Sequence, residues 1–142
     1  MPKEKKIKEK LEEINEFLNE EERVFDEVIK TAENKKFYFG CSLAMAILKT
    51  DFNEIVKKSK SWFNREPNKQ RLVKLLKKKM RQIKEDIERG KNLGFNLFQL
   101  QYYEEILSKV SGEELRWTET YFNYLNKLIE KFLNNLEGDE KD

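Results

Sequence analysis

The sequence predicts an all-α fold, a compact bundle of five to six helices, and three observations predict it. Apolar residues recur at three- and four-residue spacing along most of the chain, and nowhere do they alternate as a half-buried strand requires. The 142 residues include five Gly and two Pro, fewer turn formers than a sheet protein of this size needs. Charged residues make up 39% against 38% hydrophobic, and ten Phe, five Tyr and two Trp need a core to enter, which argues against a disordered chain. One domain, residues 1–142, is the expectation at this length, with enough chain to bury a core without disulfides or metals.

The first helix is expected from about Lys5 to Thr31. Ile7, Leu11, Ile14 and Leu18 set its stripe, and Phe25, Val28 and Ala32 continue it. The polar run Asn19–Glu22 is either a break or a solvated turn, and Asn34 reads as a stop or a cap. The second helix, about Lys36 to Lys49, is apolar nearly all round, the pattern of a central helix. Asp51 and Glu54 have capping-box spacing, so a third helix is expected from Phe52 to about Phe63. Asn64–Asn68 is the clearest break, and Pro67 suits the first turn of a fourth helix running to Arg89, with Gly90 as its stop. In that helix Leu72, Val73, Leu76, Met80, Ile83 and Ile87 share an arc of about 100°. A fifth helix, Phe95 to Val110, and a sixth, Gly112 to about Leu136, follow, with Ser111 and Glu114 as a second capping box before the sixth.

The net charge of +2 conceals a strong sorting of charge. Residues 1–34, the acidic first helix, carry −4; residues 35–56 carry +1; residues 57–91 carry +10; residues 92–142 carry −5 and end in an acidic tail, 137–142. A quarter of the chain thus holds the whole positive excess, which points to a polyanionic partner. Lys57, Lys58, Lys60, Arg65, Lys69, Arg71, Lys74, Lys77, Lys78, Arg81 and Lys84 are the candidate phosphate contacts. Lys is a compact point charge suited to backbone binding without sequence preference. The competing reading makes them a solvated face, or one packed against the acidic first and last helices. Lys79 falls near the apolar arc and is expected to snorkel.

Trp62 and Phe63 lie inside the basic segment, where a core or interface anchor is the more frequent use and base stacking the functional one. Tyr103 and Tyr124 fall off the main stripes and suit a protein interface, whereas Tyr102, Trp117 and Tyr121 fit a core.

Catalytic chemistry has few routes here. The chain has no His, which removes the commonest general base and metal ligand. Cys41 is the one cysteine, so no intrachain disulfide or thiolate metal site can form, and a reducing, cytoplasmic setting is expected. No phosphate-cradling glycine loop is present. The acidic pairs Glu12–Glu13, Glu104–Glu105 and Glu113–Glu114, and the run Glu20–Glu22, are expected to be ordinary solvated charges. No secretory signal and no run of roughly 18 apolar residues is present. The expectation is a non-enzyme with no cofactor, no metal and no membrane association.

The stretch Lys36–Leu48, reading Lys-Phe-Tyr-Phe-Gly-Cys-Ser-Leu-Ala-Met-Ala-Ile-Leu, is followed by Leu72–Ile87 with interleaved lysines, then by Asn96-Leu97-Phe98 and Tyr102-Tyr103-Glu104. This order, over about residues 35–130, resembles the helical C-terminal region of large subunits in class 1 CRISPR effector complexes. The stand-alone form of that region is the Cascade small subunit. The long acidic first helix departs from the pattern. The resemblance implies a part in antiviral defence, with several copies lining the assembly beside other effector subunits. It implies backbone contacts that steady the guide RNA–DNA duplex and the displaced single-stranded DNA, without chemistry. The alternative from a different class is a helical protein–protein adaptor with a basic docking face.

Overall fold

The computed structural model describes residues 6–63 and 65–112, together with the helical positions Asn123, Asn126 and Glu130. Helix α1 spans Ile7–Thr31 and buries Leu11, Ile14 and Leu18. It passes through the polar run at 19–22 unbroken. Arg23 supports that turn by donating from Nη2 to Glu20 Oε1 at 2.6 Å and from Nε to Oε2 at 3.0 Å. Asn34 then caps α2, its side chain accepting from the Phe37 N–H at 3.1 Å.

Helix α2 spans Lys35–Lys58 as one element, where the sequence reading expects two helices divided by a capping box at Asp51. The apolar pattern explains the correction. Met45, Leu48 and Phe52 are fully buried, and their spacing of three and four residues keeps them on one stripe only if the helix runs straight through. No Gly or Pro interrupts residues 49–51, and the Thr50 hydroxyl donates back to the Ala46 carbonyl at 3.1 Å. Asp51 faces α3, with its carboxylate 3.8 Å from Lys79 Nζ.

Helix α3 spans Lys69–Glu88 and buries Leu72, Leu76, Met80, Ile83 and Ile87, the predicted arc. Asn68 is its cap, accepting from the Arg71 N–H at 2.9 Å, so Pro67 precedes the cap instead of opening the helix. Gly90, at φ 73°, lets the chain close the last turn: its N–H donates to the Ile87 carbonyl at 3.0 Å and the Lys91 N–H to the Asp86 carbonyl at 2.9 Å. Helix α4 spans Leu93–Ser111 and stops at Gly112, which has a left-handed backbone. Ser111 therefore ends α4; the Glu114 half of its expected capping box and the helix beyond it lie outside the described residues. Four helices are delimited among the described residues, the expected second and third being one, and the same residues hold no strand beyond a single antiparallel bridge between Lys60 and Pro67.

The four helices alternate in direction. Residues 22 and 26 of α1 meet 49 and 42 of α2; Asp51 of α2 meets Lys79 of α3; Lys84 of α3 meets Glu104 of α4; Lys10 of α1 donates to the Val110 carbonyl of α4 at 3.3 Å. Helix α1 packs chiefly on α2, and α3 on α4, while α1 and α3 lie across the diagonal. An aromatic seam joins α1 to α4, with ring centroids 6.2 Å apart for Phe17–Tyr102, 6.0 Å for Phe25–Phe98 and 4.9 Å for Phe98–Tyr102. This diagonal placement decides which charged faces can neutralise one another.

Candidate nucleic-acid interface

The basic face belongs to the outer side of α3. Lys74, Lys77, Lys78 and Arg81 are exposed, opposite the buried arc, and no ion pair engages them among the described residues. Arg71 continues the face at the first turn, whereas Lys69, exposed where the helix begins, lies about 140° round the axis from Lys74, on the side of the buried arc. From Arg71 to Arg81 the strip runs about 15 Å along the helix axis. Its placement runs against the helix's own electrostatics. The first turn of α3 has no acid and the last turn no base, the reverse of what the macrodipole favours, at about 0.3–1 kcal/mol per misplaced charge.

Neutralisation by α1 is excluded by the diagonal. The exposed acids Glu9, Glu12, Glu16 and Glu20 cover the outer side of α1, across the bundle from the α3 strip. The nearer acids belong to α2. Asp51 and Glu54 line a shallow groove of about 410 Å³ between α2 and α3 together with Lys58, Lys78 and Lys79. Lys57, in the last turn of α2, stands 3.6 Å from Glu54 and is partly matched by it. Lys58 at the helix end, and Lys60 and Arg65 beyond it, are exposed.

Lys84 leaves the candidate set. It is half-buried, and its Nζ lies 3.9 Å from Glu104 Oε1, whose residue is 8% exposed. With Lys77, Met80, Arg81 and Leu107 it lines a second depression of about 370 Å³ between α3 and α4. Lys79, half-buried against Asp51, is the snorkelling lysine that the pattern predicts. The expectation that Glu104 and Glu105 are solvated is overturned: Glu104 is buried, and burial pushes the half-buried Glu105 carboxyl above its ordinary range against the pull of Lys109. Both sit on α4, which is covered on most sides. Tyr103 is also fully buried rather than interface-facing. Burial, and then the Asp51 carboxylate, hold its hydroxyl in the neutral form.

The loop between α2 and α3 carries two residues that the sequence reading places elsewhere. Trp62 and Phe63 are 87% and 91% exposed, not core and not at a helix end. The sequence held the signal for this. At three- and four-residue spacing Trp62 has Lys58, Ser59, Arg65 and Glu66 as neighbours, so no apolar stripe claims it. Keeping each ring in water forgoes roughly 1.5–3 kcal/mol of burial.

A second exposed apolar surface lies on the first half of α2. Phe39, Leu43 and Ile47 form an outward stripe, exposed by 64%, 55% and 42%, beside a groove of about 590 Å³ lined by Phe37, Gly40, Cys41, Ala44, Phe95 and Phe98. The helix that the sequence marks as central is therefore buried on one side only, through Ala44, Met45, Leu48 and Phe52. An all-round apolar pattern states that two faces want cover without saying that both covers belong to the same chain. Cys41, half-buried in this groove, has its thiol pushed up by burial, the opposite of a reactive thiolate.

Among the described residues no cluster of three or more His, Cys, Asp or Glu side chains is placed to hold a metal ion, and no helix is long and apolar enough to cross a membrane. The geometry offers an elongated cationic strip, an aromatic loop at one end of it and an apolar stripe on another helix. Comparison with family models, curated proteins and solved structures finds no match to this chain.

Proposed function

We propose that this chain is a non-catalytic nucleic-acid-binding module that holds the phosphate backbone on the outer face of α3. The observation that carries the reading is the strip itself: Arg71, Lys74, Lys77, Lys78 and Arg81 stand exposed on one face of α3, without an ion pair among the described residues and across the bundle from the acids of α1. Cations spaced along a rod of about 15 Å address a linear polyanion, and they read charge rather than sequence. Lys57, Lys58, Lys60 and Arg65 extend the surface at the loop end, and Lys84 serves packing instead.

Within that function, the resemblance to the helical C-terminal region of large subunits in class 1 CRISPR effectors supports a finer proposal: a small subunit of a Cascade-type effector, repeated along guide and target strands. The apolar stripe Phe39–Leu43–Ile47 supports the protein-contact side of that role, since a protein working within an assembly needs a face for its neighbours. The same stripe is what favours the adaptor reading, in which α2 docks a protein and the strip meets an acidic partner.

Binding of the purified protein to a labelled duplex and a labelled single strand, titrated with salt, tests the proposal. Association that weakens steeply with ionic strength and ignores sequence is the expected result. No association even at low salt would reject it and leave the adaptor reading.

A further inference from the structure

The Trp62–Phe63 loop is the most exposed aromatic surface of the described residues, and it is built firmly. Ser59, at its base, is fully buried, and its hydroxyl donates to the Val56 carbonyl at 2.6 Å. Across the neck the Asn68 N–H donates to the Ser59 carbonyl at 2.9 Å and the Ser61 N–H to the Glu66 carbonyl at 2.7 Å. Inside it the Arg65 N–H donates to the Ser61 carbonyl at 2.9 Å, with Arg65 in the left-handed region at φ 56°. The two rings stand edge to face, with centroids 5.4 Å apart and planes at 81°. One ring thus braces the other, and neither lies against the bundle.

The charged side chains of the loop, Lys60, Arg65 and Glu66, are a net positive set. Lys60 and Arg65 flank it in the loop, and Arg71 fixes the α3 side by donating from Nη1 to the Lys60 carbonyl at 3.4 Å. An aromatic face within a cationic frame matches one kind of polyanion, whose charges lie on a backbone and whose flat apolar faces are free. A single strand has both, whereas a duplex keeps its base faces in the stack. A charged lipid surface would also attract rings and lysines, but the strip continues about 15 Å along α3 away from the loop. A chain of phosphates can follow that course; a plane meeting the loop tip cannot.

We propose that the Trp62–Phe63 loop is a base-stacking platform that makes single-stranded nucleic acid the preferred ligand of this surface, a reading that rests on the backbone-binding role of α3. The strip supplies attraction without preference, and the rings supply preference for unstacked bases. Because both side chains are exposed, replacing them leaves the fold intact.

The experiment compares wild type with the W62A/F63A variant on three oligonucleotides of equal length: a mixed-sequence single strand, an abasic strand with the same phosphates, and a duplex. Wild type is expected to prefer the base-bearing strand over the abasic one by about fivefold to a hundredfold, the range of one base–aromatic stack. The variant should lose that preference, keep its affinity for the abasic strand and duplex, and keep its salt dependence. Salt-dependent binding with equal affinity for base-bearing and abasic strands in wild type would overturn the platform and leave the backbone reading standing. No binding to any of the three at low salt would overturn both. Ring-dependent binding to vesicles of anionic phospholipid, without a base preference, would overturn the platform in favour of a membrane contact.

Discussion

Neutralising the centre of the α3 strip gives the sharpest quantitative expectation. The variant is K74Q/K77Q/K78Q/R81Q. Duplex DNA presents a phosphate about every 3.4 Å along each strand, so the four cations, spread over about 10 Å of helix from Lys74 to Arg81, face about four phosphates of one strand. Four phosphate contacts contribute about −3.6 to the slope of log K against log salt on duplex, and about −2.8 on a single strand. Between 50 and 200 mM salt the wild type should therefore lose about 150-fold more duplex affinity, and about 50-fold more single-strand affinity, than the variant loses. The same substitutions should stabilise the fold. Residues 74–77, 74–78, 77–81 and 78–81 are like-charged pairs at helical contact spacing, each unfavourable by about 0.2–0.5 kcal/mol, and Gln is a good helix former. Urea melts should thus show a gain of about 1–2 kcal/mol. Fluorescence anisotropy at four or more salt concentrations measures the slopes. A variant that keeps the wild-type slope shows that the strip does not hold phosphate. A variant that loses stability shows that the four cations have partners in the fold.

Three further outcomes follow from the architecture. Thr50→Pro breaks the middle of α2, where the side chain is exposed and only the helix is at stake. Thermal or urea denaturation should show a loss of about 3 kcal/mol or more, against near neutrality for Thr50→Ala; a loss under about 1 kcal/mol would restore the two-helix reading. Leu76→Ala, in a fully buried position of α3, should cost about 2–5 kcal/mol in the same melts. Glu105→Gln should stabilise the protein at pH 7. The folded-state pKa of Glu105 is raised, chiefly by burial, so the folded chain binds that proton more tightly than the unfolded chain. The stability tied to it is full below the ordinary carboxyl pKa and is lost as pH rises through the raised value. The gain from Gln should hence vanish in melts at a pH below the ordinary carboxyl range, and a gain that persists there would contradict the assignment.

The parts of the fold that were readable in the sequence are those set by local pattern. The buried arc of α3, the stop at Gly90 and a break before α3 follow from spacing, from a residue tolerant of positive φ and from Pro67, although the preceding helix ends at Lys58 and not near Phe63. Where local signals compete, tertiary burial decides. The Asp51–Glu54 capping spacing is real, but Phe52 must stay in register with Met45 and Leu48, and the helix runs on. Partner choice was not readable at all. Nothing in the spacing of Lys84 distinguishes it from Lys77, because its partner Glu104 is about twenty residues away on another helix. Likewise Tyr103 and Glu104 fall outside the main apolar stripe of their segment, whereas α4 is covered on several sides.

The placement of charge adds a consequence that the count of charges could not supply. Outward acids on α1 and outward bases on α3, separated by the bundle diagonal, give the molecule opposite faces of opposite sign. The acids of α1 then cannot compete with a phosphate chain for the lysines of α3. Over the same distance in sequence, an arrangement with α1 beside α3 would have drawn those cations into internal pairs, as Lys79 and Lys84 are drawn. The topology, more than the number of lysines, therefore keeps the strip open, and the binding argument rests on the diagonal as much as on the composition.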